Sequence, residues 1–186
     1  MTISEKARDY AIFCHNSTNH KYDKIYAYSM HLQMVVDVAM KFIHLIPEEH
    51  RDAVIAGCWV HDVIEDCRET YNDVKKATNE QVAELAYALT NEKGKNRAER
   101  ANEKYYDGIR SVPFADFIKI CDRTANYEYS KKTGSRMAEM YEKEMDDFIK
   151  KILGITADKY SILDSHPLKE MFDYLIEIST PQKLKQ

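Results

Sequence analysis

Glycine and proline are scarce, with 5 and 4 copies in 186 residues. Folds built on many tight turns need far more of both, so turn-rich all-β architectures are excluded. Long apolar runs are missing too. The longest, Ala53 to Val60, is far short of the ~20 residues that cross a bilayer. The first ten residues carry Glu5, Arg8 and Asp9 and no apolar stretch, so no signal peptide is expected and no membrane partner. The four cysteines, Cys14, Cys58, Cys67 and Cys121, form no C-x-x-C pair. They read as reduced, buried thiols of a cytoplasmic protein. No basic excess exists, since Lys+Arg 27 faces Asp+Glu 31 for a net charge of −4, and no nucleic-acid partner is expected.

What is present is a globular balance, 44% hydrophobic and 31% charged. The length fits one domain, 1–186. Helical spacing recurs along it. Thr2 and Glu5 form a capping box that opens a helix to about Asn16. Ser17 to Tyr28 is polar, without a clean period, and reads as a loop. Met30, Met34, Val38 and Phe42 at i+4 steps predict an amphipathic helix over 29–46, which Pro47 stops. Residues 48–66 read as one helix with Val54, Ile55, Cys58 and Trp59 inward. Further helices are predicted at 71–77, at 80–90 after Asn79, at 97–109, from Pro113 to about 129, at 136–153 before Gly154, and from Pro167 to about 178. No strand is expected. The fold class is all-α, a bundle of about eight to ten helices.

Within that pattern, polar residues break apolar helices abruptly. His61-Asp62 ends the Ala53–Val60 run, and Glu65-Asp66 follow one turn later. On one helix, Glu65 shares a face with His61 and Asp62, and Asp66 with Asp62. Carboxylates beside a core cost several kcal/mol unless they are paired or hold a metal. Asp122 interrupts Phe117-Ile118-Lys119-Ile120-Cys121, with Asn126 one turn on, and His31 opens the Met/Val helix. Two His and two Asp from three helices make a mixed nitrogen and oxygen donor set. It suits Mn²⁺ first, with Fe, Mg, Zn or Ni as alternatives. The other histidines, His15, His20, His44, His50 and His166, read as surface or satisfied core groups.

The order His31, His61-Asp62, Asp122 resembles the H…HD…D pattern of the HD-domain metal-dependent phosphohydrolases. His-Asp-Val-Ile-Glu-Asp at 61–66 resembles the HDxxED signature of RelA/SpoT-type alarmone hydrolases. Leu89 to Lys93 with Arg97-Ala98-Glu99-Arg100 resembles that family's loop and basic helix. Lys119 to Asn126 resembles its K-x-x-D-[RK]-x-x-N segment. The likeness spans about 10–153, leaving 155–186 as a C-terminal helical extension, and it fits the small stand-alone form.

The resemblance implies an HD-domain bundle that removes the 3′-pyrophosphate from guanosine tetra- or pentaphosphate with Mn²⁺. It implies His31, His61, Asp62 and Asp122 as metal ligands, and Glu65 and Asp66 as the pair that orients and activates water. Asn126 would contact substrate near the ribose, with Arg97, Arg100 and Lys104 near the phosphates. Tyr28 fits the family's aromatic upstream of the first ligand and is expected among the substrate-binding residues. Leu32 stands where the family has Pro. The stretch from Lys21 to Tyr28 holds no Gly, Pro or Arg, so Lys21 or Lys24 supplies the charge there and Tyr22 or Tyr26 the stacking face. Two rival readings are an HD-type phosphohydrolase of another nucleotide (a nucleoside monophosphate, a dNTP or a dinucleotide cofactor) and a non-catalytic helical binding module. A homo-oligomer is left open.

Overall fold

A computed structural model of the chain describes residues 1–156 and 160–180. It is helical nearly throughout, as the spacing predicts. Helix α1 (Ile3–Ser17) starts at the Thr2 cap, where Thr2 and Glu5 satisfy each other's backbone amides. Then come a short hairpin, β1 (Lys21–Tyr22) and β2 (Tyr26–Ala27), and α2 (Ser29–Phe42). Two 3₁₀ turns, Ile43–Leu45 and Glu48–His50, flank Pro47 and lead to α3 (Arg51–Val60). After α4 (Val63–Asp66) follow α5 (Tyr71–Ala77), α6 (Glu80–Leu89), α7 (Arg97–Arg100) and α8 (Glu103–Ser111). The long helices α9 (Ala115–Thr133) and α10 (Met137–Leu153) precede α11 (Tyr160–Leu163) and α12 (Lys169–Ser179).

The differences from expectation have local causes. The stretch expected to be a loop carries an antiparallel hairpin, pairing Lys21 with Ala27 and Tyr22 with Tyr26. Asp23 and Lys24 turn it with φ of 48° and 69°, without the glycine that marks such turns in sequence. The phenol of Tyr129 donates to Asp23 at 2.8 Å and ties the hairpin to α9.

The helix expected over 48–66 is broken at His61-Asp62. The imidazole Nδ1–H of His61 donates to the Cys58 carbonyl at 2.8 Å, taking the acceptor that Asp62 would use in a continuing helix. Ile55, expected inward, is only half-buried. The basic helix expected over 97–109 is two helices. Asn102 caps the second by accepting from the Tyr105 amide at 3.1 Å, so the chain restarts there. Helix α9 begins two residues after Pro113 because Phe114 is left-handed, at φ 70°.

Helix α2 packs on both α3 and α9, and α1 packs on α3. Gly57 lets α3 approach closely: a Cβ there would stand 2.6 Å from Ile118 Cδ1 on α9 and 3.0 Å from Leu85 Cδ1 on α6. Helix α12 packs on α9 and α10. The remainder of the expected C-terminal extension, 157–159 and 181–186, lies outside the described residues. Among the described residues no helix is long and apolar enough to cross a membrane.

Candidate metal centre and its cavity

Three elements deliver the polar residues to one point. Helix α2 supplies His31, the α3–α4 turn supplies His61 and Asp62, and α9 supplies Asp122. Both imidazoles are buried, at 1% and 2% exposure. Their Nε2 atoms stand 3.3 Å apart. Asp122 Oδ1 is 3.3 Å from His31 Nε2 and 3.8 Å from His61 Nε2. Asp62 Oδ2 is 3.0 Å from His61 Nε2 and 3.7 Å from His31 Nε2. One ligand atom each from His31, His61 and Asp122 can be chosen so that all lie within 4.8 Å of one another. Donor atoms that share one ion at about 2.0–2.2 Å stand roughly 3 Å from each other, so the spacing fits a divalent cation.

The surroundings orient these groups. Since His61 gives its Nδ1–H to the Cys58 carbonyl, its Nε2 lone pair faces the cluster, the tautomer a metal requires. Burial alone would lower the His61 imidazole. The Asp62 and Asp122 carboxylates override it and raise the group to about 10. Asp122 is drawn well below the usual carboxylate range. Burial opposes that shift, and the Lys119 ammonium with the His31 and His61 imidazoles overcomes it.

Two residues of the 119–126 segment hold Asp122. Lys119 Nζ donates to Oδ2 at 3.0 Å, and Asn126 Nδ2 donates to Oδ1 at 2.6 Å. Asn126 Oδ1 accepts from the Tyr22 hydroxyl at 2.9 Å, so both ends of this amide are engaged within the protein. The Tyr22 ring stacks on His31, with centroids 4.9 Å apart. Tyr28 is buried, and its hydroxyl donates a short hydrogen bond to Asp62 Oδ2. The expected aromatic near His31 therefore anchors Asp62 from behind instead of lining the cavity.

The water-activating pair expected at 65 and 66 diverges. Glu65 accepts from the Asn91 side chain at 3.0 Å and backbone at 3.3 Å, and it lines a cavity of about 430 Å³. Asp66 faces His20 at 3.7 Å. Burial, then the Asp62 and Glu65 charges, push Asp66 up to about 7. Asp122, Asn126, Arg97 and Arg100 line the same cavity, joined by Lys119, Arg123, Tyr141 and Glu144. Lys104 is not on that wall, because its exposed ammonium pairs with Glu92 at 2.9 Å. Lys21 and Lys24 sit exposed on the hairpin, away from the cavity lining.

Spacing gave no warning of His15 and His20, whose rings stack on Tyr28 with centroids 4.3 and 4.1 Å away. Tyr141 and Glu144, on α10, carry no motif at all. Lys119 and Arg123 lie within the 119–126 segment, and their residue types are the only signal there.

No family model and no curated protein matches the chain. Among solved structures it is similar to a metazoan ortholog of SpoT that hydrolyses ppGpp and plays a role in starvation responses. The two are 20% identical, the match covers 96% of each chain, and the TM-score is 0.67. The likeness is one of fold, an all-α bundle, over nearly the full length of both chains.

Proposed function

We propose that the chain is a metal-dependent phosphohydrolase that removes the 3′-pyrophosphate of guanosine tetra- or pentaphosphate. One observation carries the reading: two imidazole nitrogens and two carboxylates from three elements meet beside a cavity walled by arginines and lysines. The motifs at 61–66 and 119–126 support the substrate class, as does the shared fold with a protein that hydrolyses ppGpp.

His31, His61, Asp62 and Asp122 would hold the ion. Their mixed donor set supports Mn²⁺, with Fe, Mg, Zn or Ni as alternatives. When bound, such an ion supplies Lewis acidity and makes water acidic enough to react near neutral pH. Glu65, fixed by Asn91, orients the attacking water from the cavity wall. Asp66, which faces His20 at 3.7 Å, is the second carboxylate of the water-activating pair, a general-base role worth about 10²–10⁴ in rate. Arg97 and Arg100 neutralise the phosphates, and Lys119 and Asn126 hold Asp122 in its orientation. The four cysteines are free and buried, which supports a reducing, cytoplasmic setting.

The test is pyrophosphate release from guanosine tetraphosphate with added Mn²⁺. Activity is expected with the wild-type chain and lost with chelator or with Asp62→Ala, whose metal content on purification should also fall. The hairpin favours a second reading, another nucleotide as substrate, because Tyr22 is stacked on His31 and no cation of the hairpin lines the cavity. Phosphate release from nucleoside monophosphates, with none of the pyrophosphate, would decide for it.

A further inference from the structure

The cavity wall contains a carboxylate with no part in the proposed reaction. Glu144 Oε2 accepts from Arg97 Nη2 and from Arg123 Nη1, both at 3.1 Å. The same two guanidiniums lie against the Tyr141 ring, 5.5 and 4.8 Å from its centroid. Arg123 is buried, at 7% side-chain exposure, and also lies 4.5 Å from the centre of Phe148. It is thus a fixed, stacked guanidinium. Arg97 is half-exposed and sits on a four-residue helix. Among the other cations of the wall, Lys119 is paired with Asp122 at 3.0 Å and Lys151 with Asp147 at 2.8 Å.

We propose that Glu144 is a built-in competitor for phosphate at two arginines of the cavity wall, Arg97 and Arg123. It occupies the anion position between Arg97 and Arg123 and yields it to a phosphate group of the nucleotide. It reclaims the position as that phosphate leaves, which keeps the product from being trapped. The chemistry is one of exchange: an arginine fork matches phosphate and carboxylate alike, and two guanidiniums sharing one carboxylate oxygen leave a net positive charge for an incoming anion. This rests on the phosphohydrolase reading of the cavity.

The sign of one measurement separates this role from a merely structural ion pair. GDP and inorganic pyrophosphate, the products of the proposed reaction, are titrated by calorimetry into the manganese-loaded chain and into its Glu144→Gln and Glu144→Asp forms. Glu144→Gln is expected to bind GDP about tenfold more tightly, the size of one charge-assisted contact freed for the ligand. In turnover its KM and kcat should fall together as release becomes limiting. Glu144→Asp should return both to wild-type values. Unchanged or weaker binding in Glu144→Gln, with a lower melting temperature, overturns the proposal, because that is what loss of a structural tie gives. Absence of GDP and pyrophosphate binding to every form overturns it too. A chain inactive on the alarmone that still binds pyrophosphate more tightly after Glu144→Gln would sink the activity and leave this inference standing.

Discussion

At the scale of single residues, Tyr28 decides how firmly Asp62 is held. Burial, reinforced by the Asp62 charge, keeps its hydroxyl protonated well above the usual phenol range, so it remains a donor. Tyr28→Phe removes that donor and leaves the ring stacks intact. Partners of this kind typically govern metal affinity by about 10–100-fold, and a loss of that size is expected in a metal titration. An unchanged affinity would show that Asp62 needs no anchor.

His15 provides the pH handle. Its ring is buried, Nδ1 lies 3.1 Å from His20 Nδ1, and Nε2 has no hydrogen-bond partner. Burial holds the imidazole down at about 4, against 6.5 in the unfolded chain. Between those values the unfolded state binds the extra proton. His15 therefore adds stability above pH 6.5 that is lost as pH falls towards 4, up to about 3 kcal/mol. Urea midpoints measured from pH 7 to pH 4 should fall less steeply in His15→Phe, which preserves the stack on Tyr28. Parallel slopes would place the acid sensitivity elsewhere.

At the scale of elements, close approach of α3 to α9 brings His61 to Asp122. Gly57 permits it, and Ile118 and Leu85 fill the space a side chain would need. Gly57→Ala overpacks that contact. A destabilisation of about 1–3 kcal/mol is expected from thermal melting. The same variant should bind metal more weakly, because His61 and Asp62 directly follow α3 while Asp122 sits on α9. A melting temperature equal to wild type would mean that the Ile118 side chain yields freely.

At the scale of the whole molecule, an ion at the site would cross-link α2, the α3–α4 turn and α9. Ligands that bind only the folded state stabilise by mass action, about 2.7 kcal/mol at a hundredfold excess over Kd. For a chain of this length that corresponds to a rise of roughly 5–10 °C in Tm on adding Mn²⁺. Chelator should reverse it, and Asp122→Asn should abolish it. A Tm indifferent to millimolar divalent cations would mean that no ion joins the three elements.

The sequence by itself determined the all-α class, most helix bodies and the candidate ligands. Period and capping are local properties, so Thr2 with Glu5, Asn79 and Gly154 marked helix ends correctly. Abrupt polar breaks in apolar helices, at His61-Asp62 and at Asp122, are visible without coordinates because desolvation makes them costly. Side-chain bonds that override the period are not. The His61 imidazole on the Cys58 carbonyl and the Asn102 cap each split what reads as one helix. Only the tertiary structure turned Glu65 towards the cavity and Asp66 towards His20, set Tyr28 behind Asp62, and placed Glu144 between two arginines. Those pairings join residues from separate elements, and a distance between elements is fixed by packing, which no local pattern encodes.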